Sequence, residues 1–141
     1  MWGFPQRALT EKVIGAAIQV HRQLGPGFLE KIYENAFCLE LTKRGMAFSR
    51  QTTVRILYEG TDIGSHRLDL IIDGAVVGEI KAVKAIEDLH LATVLSYLKA
   101  TGLEAGLILN FAASKLRIRR VVRTLDWTAE ARRSESAEKN I

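Results

Sequence analysis

The chain of 141 residues is 48% hydrophobic and 26% charged, which is the composition of one globular domain large enough to bury a core. No apolar run approaches the ~18 residues of a membrane span, and Met1–Gln6 lacks the pattern of a secretory signal, so we expect a cytoplasmic protein with no membrane contact. The net charge of +4 and the pI of about 9.4 permit a nucleic-acid partner without requiring one.

Two helices are predicted in the first third of the chain. Between Leu9 and Leu24 the apolar residues recur at steps of three and four, which is one face of a helix, and Gly25–Gly27 must end it. A second helix should run from about Phe28 to Arg44, with Gly45 at its C-terminal end.

Three strands are predicted next, because the apolar period changes to two. Val54–Tyr58 is the first strand, residues 59–62 form a turn, and the second strand covers about 63–72. After the hairpin turn signal Asp73–Gly74, the third strand, Ala75–Val83, is apolar on both faces except at two charged positions. Such a strand is normally central in its sheet and covered on both sides.

The remaining elements define the fold class. A third helix, about Glu87–Thr101, is followed by a buried strand, Ala105–Phe111, and a basic strand, Lys115–Arg123. This order predicts an α/β (mixed α+β) fold with a central mixed β-sheet flanked by helices. We assign residues 1–125 to this domain and interpret residues 126–141 as a polar, flexible tail.

The two charged positions in the third strand are Glu79 and Lys81. Because side chains two residues apart in a strand point to the same face, they project together. Burying charge costs several kcal/mol per ion unless partners compensate for it. Asp69, on the preceding strand, is the obvious third member of such a group.

The length of the hairpin loop decides whether Asp69 joins this group. A two-residue loop, Asp73–Gly74, would place Glu79 on the face opposite Asp69. A three-residue loop, Ile72–Gly74, places Asp69 across from Val77 instead. Glu79 then shares that face one diagonal step away, ~7–8 Å at the backbone, which lets two carboxylates share one cation. We therefore predict a loop with an odd number of residues.

Two carboxylates and a lysine on one face suit metal-assisted phosphodiester hydrolysis. Cys38 is the single cysteine and the chain has no Cys/His cluster with zinc spacing, so the metal ligands would be oxygens, which favours Mg²⁺ or Mn²⁺. Lys81 would orient or deprotonate a water, or stabilise the developing charge. The alternative is a plain buried ion pair of Lys81 with Glu79 or Asp69, and spacing alone gives the two interpretations equal weight.

Glu30 adds a fourth charge, in a row of the second helix with Tyr33, Phe37 and Leu41 that looks inward. If Gly27 is the N-cap, Glu30 is the third helical residue, where a glutamate caps backbone amides. The residues alone favour this capping role, which is compatible with a reach to a neighbouring metal.

The segment Gly27–Tyr33 matches Gly-x-x-Glu-x-x-Tyr, and the chain resembles the GxxExxY proteins, which are assigned to the PD-(D/E)XK nuclease superfamily. The likeness covers about Leu9 to Arg123 and includes Ile14–Ala17, Val20–His21, Leu24–Gly27, Ser96–Gly102 and Asn110–Phe111. The resemblance implies a restriction-endonuclease-like core. It also implies roles for four residues: Asp69, Glu79 and Glu30 as metal ligands, and Lys81 as the lysine of the Glu-x-Lys pair.

The third helix departs from the superfamily pattern. Related nucleases often carry Gln-x-x-x-Tyr here, where this chain has Thr93 and Tyr97, and threonine lacks the paired donor and acceptor of an amide. His90, Thr93 and Tyr97 fall on one helical face, and we interpret them, together with Tyr33, as supporting residues. The alternative for Tyr97 is a core aromatic with a bonded hydroxyl.

The last strand is basic, with Lys115, Arg117 and Arg119 at alternate positions. This face is predicted to follow a phosphate backbone. The alternative is an edge strand that uses charge to prevent pairing with other sheets.

Two further histidines receive structural interpretations. His21 lies beside the apolar row of the first helix and is interpreted as a satisfied structural residue. His66 precedes Asp69 by three residues, so strand alternation should point it to the opposite face, which makes it a poor ligand candidate.

We therefore predict a Mg²⁺- or Mn²⁺-dependent nuclease acting on DNA or RNA. The alternative is a module of the same fold that binds nucleic acid or a protein partner without efficient catalysis, which Thr93 favours. A homodimer that spans a duplex is compatible with either function.

Overall fold

The computed structural model describes residues 4–123, and the predicted tail, residues 126–141, lies outside this range. Within it the elements follow one another as α1 (Arg7–Leu24), α2 (Glu30–Lys43), β1 (Phe48–Tyr58), β2 (Thr61–Ile72), β3 (Val76–Lys81), α3 (Asp88–Thr101), β4 (Ala105–Asn110) and β5 (Arg117–Val122). No helix of the described part is long and apolar enough to cross a membrane.

The five strands form one mixed sheet in the order β1-β2-β3-β4-β5. β3 and β4 are parallel, and every other neighbouring pair is antiparallel. The parallel pair is possible because α3, which connects β3 to β4, returns the chain to the end of the sheet at which β3 begins. All six residues of β4 are buried. The predicted mixed sheet flanked by helices is confirmed.

Helices cover both faces of the sheet. α1 and α2 pack on one face, where the predicted inward row of α2 places Tyr33 and Phe37 at the centre of the core. α3 packs on the other face through Val94, Tyr97 and Leu98. A Cβ at Gly106 would lie 2.8 Å from Val94 Cγ1, so α3 packs directly on the backbone of β4.

Several elements begin or end at other residues than predicted: α2 spans Glu30–Lys43, β2 begins at Thr61 and β3 spans Val76–Lys81. The largest difference is at the start of β1. β1 begins at Phe48 instead of Val54, because the polar stretch before Val54 pairs through its backbone with β2 and needs no apolar alternation to do so. Lys115 lies before β5, which starts at Arg117. β5 and β1 are the two edges of the sheet.

Candidate functional site

The loop between β2 and β3 has three residues, Asp73–Ala75, so its predicted odd length is confirmed. Leu70 pairs with Gly78. One residue further from the loop in each strand, this register places Asp69 directly across from Glu79. The predicted loop began one residue too early, which made the two residues diagonal neighbours. The prediction erred because the isoleucine before the loop is fully buried and stays in the ladder.

Glu79 is a buried carboxylate with an incomplete set of partners. The residue is 7% exposed, its Oε2 lies 3.6 Å from Lys81 Nζ, and its Oε1 has no hydrogen-bond partner in the described part of the chain. Burial, followed by the negative charge of Asp69, raises the pKa of Glu79 to about 7, and the positive charge of Lys81 opposes this only in part.

Asp69 is held against the neighbouring strand. Its Oδ2 accepts a hydrogen bond from Ile80 N at 2.9 Å. Burial raises the pKa of Asp69, and the charges of Glu34 and Glu30 raise it further, while the Ile80 amide lowers it. Two carboxylates therefore lie beside each other in a place where neither is well solvated.

Glu30 points at the end of β3 and not at its own helix. The N-cap of α2 is Leu29, in an extended conformation, so Glu30 is the first helical residue and not the third. Its Oε2 accepts a hydrogen bond from Ala82 N, directly after β3, at 3.2 Å. The predicted capping role and the assignment of Gly27 as N-cap are wrong, because two further residues intervene between that glycine and the helix.

Tyr33 fixes the loop that precedes α2. Its ring is fully buried and stacks on Phe111 with centroids 4.6 Å apart. Its hydroxyl donates to Gly25 O at 2.5 Å and accepts from Phe28 N at 3.2 Å. The tyrosine of the Gly-x-x-Glu-x-x-Tyr pattern thus ties down the loop that carries Glu30 to the sheet.

Replacing Tyr33 with phenylalanine is expected to lower the free energy of unfolding by about 1–3 kcal/mol, since it removes two part-buried hydrogen bonds, worth about 0.5–1.5 kcal/mol each, while keeping the ring. Urea denaturation measures the change, and Tyr58→Phe, at a side chain that is 64% exposed, is the matched control. Equal stability of the Tyr33 variant and the wild type would show that the hydroxyl does not hold the loop.

Tyr97 brings α3 against the two carboxylates. It is 8% exposed, and burial, then Glu79 and Asp69, raise its pKa to about 12. Its ring lies 4.7 Å from that of His66 in an edge-on contact. The prediction that His66 faces away is therefore wrong, because the alternation of side chains along β2 is interrupted.

His90 and Thr93 make their hydrogen bonds within α3 and its first turn. His90 Nδ1 accepts from Glu87 N at 2.9 Å, which helps to cap the helix. Thr93 Oγ1 donates to Leu89 O at 2.9 Å, one turn earlier. The hydroxyl hydrogen of Thr93 is therefore engaged within the helix and does not point to another partner.

Arg117 and Arg119 lie on the sheet face that carries the site. Asn110 of β4 pairs with Lys81 on one side and with Arg117 on the other. Ile108 links Glu79 to Arg119 in the same way. Since neighbouring strands are ~4.8 Å apart, each arginine is about 10 Å from its counterpart at the backbone. Lys115 lies apart from them and lines a different cavity beside α1.

A family model of the PD-(D/E)XK nuclease superfamily matches residues 7–121. The chain belongs to this superfamily. The solved structure of SSO0001 is similar, with a TM-score of 0.54 and 19% identity over 75% of this chain and 55% of that chain. An alkaline exonuclease (LHK-Exo) from Laribacter hongkongensis has a TM-score of 0.53 and 12% identity over 88% of this chain and 75% of its own.

These similarities confirm the restriction-endonuclease-like fold. The chain spans about half the length of SSO0001 (55%). No curated protein matches the chain. The superfamily is one of nucleases, and such nucleases generally use divalent metals.

The donor set of the site fits a hard cation. Among residues 4–123, no three acidic, histidine or cysteine side chains already converge as a metal-binding cluster. Asp69 and Glu30 each have one oxygen engaged by a backbone amide, and each has a second oxygen. The unpartnered Oε1 of Glu79 adds a buried oxygen of the kind that Mg²⁺ and Mn²⁺ prefer.

Sequence reasoning missed three polar residues that surround the site: Glu34, Gln51 and Asn110. Asn110 is 2% exposed, and its side chain donates to Val83 O at 2.9 Å and accepts from Val83 N at 3.0 Å, which steadies the chain after Lys81. Glu34 could have been found, since it follows Glu30 by four residues on one helical face. Gln51, a polar residue within a strand, gives no such signal.

Proposed function

We propose that this protein is a divalent-metal-dependent nuclease that hydrolyses phosphodiester bonds in DNA or RNA. The observation that carries the proposal is the unpartnered buried oxygen of Glu79, next to Asp69 and a single lysine. A plain ion pair would match one carboxylate with one cation. Here Glu79, which is buried, and Asp69, which is partly buried, lie near one lysine, whose Nζ pairs with Glu79. This surplus of negative charge is what a bound cation would offset.

Asp69, Glu79 and Glu30 are the proposed ligands of Mg²⁺ or Mn²⁺. When bound, such an ion neutralises the phosphate and lowers the pKa of a coordinated water. Lys81, whose side chain is 23% exposed, can reach substrate and orients the attacking water or stabilises charge on the phosphate. Tyr97 covers the carboxylates from the α3 side and keeps bulk water away from them.

Arg117 and Arg119 are the proposed contacts to the substrate backbone. With Lys84 and Asn110 they line a cavity of about 340 Å³ beyond the end of β3. None of the described residues that line it is acidic, so its potential favours a phosphate group. Lys115, beside α1, lies outside this cavity. The alternative role of β5, a charged edge that resists pairing, requires no such cavity.

Replacing Arg117 and Arg119 together with glutamine is expected to weaken nucleic-acid binding and to reduce the slope of log K against log salt by about 1–2. Fluorescence anisotropy with a labelled oligonucleotide in a chelating buffer measures both effects. The double variant Arg7→Gln and Arg55→Gln changes the charge equally at exposed sites, with side chains 71% and 76% exposed. A salt slope equal to that of the control would rule out these arginines as backbone contacts.

The proposed function is tested with purified protein incubated with single- and double-stranded DNA and RNA. Each substrate is combined with Mg²⁺, with Mn²⁺ or with a chelator. We expect cleavage only where the metal is supplied, and the preferred substrate identifies DNA or RNA. Size-exclusion chromatography with light scattering on the same sample tests whether the protein forms a homodimer.

One observation favours a second function, that of a binding module without efficient catalysis. Thr93 stands where related nucleases often have glutamine, and its hydroxyl hydrogen already bonds Leu89 O. The third helix therefore supplies no amide to orient substrate or Lys81. Binding of nucleic acid without cleavage under any metal condition would select this module over the nuclease.

A further inference from the structure

The β1–β2 ladder is interrupted where Gln51 stands across from Asp69. On either side, Leu68 and Leu70 remain paired with β1 in one register, so neither strand carries an inserted residue. Gln51 has a φ of 49°, in the left-handed region that side chains rarely adopt within a strand. The interruption is therefore a local distortion of the backbone at the level of Asp69.

The same interruption reverses the direction of side chains along β2. Leu68 packs in the cluster under α3, whereas Leu70, two residues later, packs in the cluster under α1 and α2. Residues two apart in a regular strand share a face. Asp69 lies at the point of reversal, and its carboxylate takes the Ile80 amide of the adjacent strand as its partner.

The side chain of Gln51 ties this point to α2. Its Nε2 donates to both carboxylate oxygens of Glu34, at 3.3 and 3.0 Å, and its Oε1 accepts from Arg67 Nε at 3.2 Å. Glu34 is 5% exposed and also accepts two hydrogen bonds from Arg50, at 3.2 and 3.0 Å. A buried carboxylate on α2 thus anchors β1 at the break, and Gln51 links this anchor to Arg67 of β2.

We propose that Gln51 is a positioning residue for the metal site, which holds Asp69 in place through its left-handed backbone and its amide contact with Glu34. Outer residues of this kind commonly change metal affinity or activity by 10–100-fold when they are replaced. The inference rests on the proposed metal-dependent function. It adds to that function the physical reason why Asp69 departs from the regular strand.

The test compares Gln51→Gly with wild type and with Glu59→Gly. Glu59 is the matched control, because it too has a left-handed φ, of 51°, but lies at the far tip of the β1–β2 hairpin. Glycine accepts this conformation freely, so both variants keep the backbone and lose only the side chain. Mn²⁺ binding is measured by calorimetry without substrate, folding by circular dichroism, and kcat and KM on the preferred nucleic acid.

For Gln51→Gly we expect a folded protein whose dissociation constant for Mn²⁺ rises about 10–100-fold, with a lower kcat and an unchanged KM. Glu59→Gly should match wild type. Gln51→Asn, which tolerates the left-handed region but is one methylene too short for both contacts, replaces the glycine variant if that one unfolds. Wild-type Mn²⁺ affinity in a folded Gln51 variant overturns the positioning role. Failure of the wild type itself to bind Mn²⁺ overturns the proposed function, and this inference with it.

Discussion

Replacing Lys81 with methionine is expected to lower the rate of metal-dependent cleavage by about 10³-fold, within the range of 10²–10⁴ that a positioned proton-transfer or charge-stabilising group supplies. Methionine keeps the length and packing of the side chain and removes only its charge and donors. Since Lys81 Nζ lies 3.6 Å from Glu79 Oε2, the substitution removes a positive charge directly beside the proposed metal ligands. Single-turnover cleavage at saturating substrate measures it.

A second variant separates catalysis from contamination. Asp69→Asn is expected to reduce cleavage at least as strongly, because an amide is a poorer cation ligand than a carboxylate. The matched controls are Lys43→Met and Asp62→Asn, at side chains that are 74% and 51% exposed. Both controls should cleave like wild type. Cleavage that survives in the Lys81 and Asp69 variants would mean that the site is wrong or the activity is foreign.

Glu79→Gln is expected to stabilise the protein in a chelating buffer at pH 8. In the folded state the pKa of Glu79 is about 7, raised from 4.5 by burial and by Asp69. A raised pKa means that the folded state holds the proton more tightly than the unfolded state. The contribution to stability is therefore complete below about pH 4.5 and is lost as the pH rises through 7. Relative to the glutamine variant, the wild type should lose at most about 3 kcal/mol between pH 5 and pH 8.

Urea denaturation at several pH values measures this difference. Glu11→Gln, at a side chain that is 58% exposed, is the control, and its difference from wild type should stay constant over the same pH range. Adding Mn²⁺ at pH 8 should raise the stability of the wild type and leave Glu79→Gln nearly unchanged, because ligand that binds only the folded state stabilises it. A pH-independent difference for Glu79→Gln would show that Glu79 is not an unmatched buried charge.

The order and type of the elements could be predicted because they depend on local periodicity. Each signal lies within a short segment of the chain and can be recognised there. These signals are the apolar rows of α1 and α2, the alternation that marks the strands and the continuous apolar run of β4. Glu79 and Lys81 were paired by the same local argument, since two residues apart in one strand must share a face.

Contacts between distant segments could be foreseen only in part. The odd length of the β2–β3 loop followed from the requirement that Asp69 and Glu79 meet, but its residues were displaced by one because burial of Ile72 keeps that residue paired. Glu30 was misassigned to its own helix cap, because only the packed structure brings the start of α2 against Ala82.

The amino-acid sequence is sufficient to predict the set of elements, the superfamily pattern and the charged residues that lie where burial makes charge costly. The orientation of Asp69, in contrast, depends on contacts that form only in the folded protein. Its carboxylate accepts a hydrogen bond from the Ile80 amide of β3, and Gln51, across from it on β1, donates to Glu34 of α2. These contacts join separate elements of the chain, and hydrogen bonds between such elements exist only after the core has brought them together.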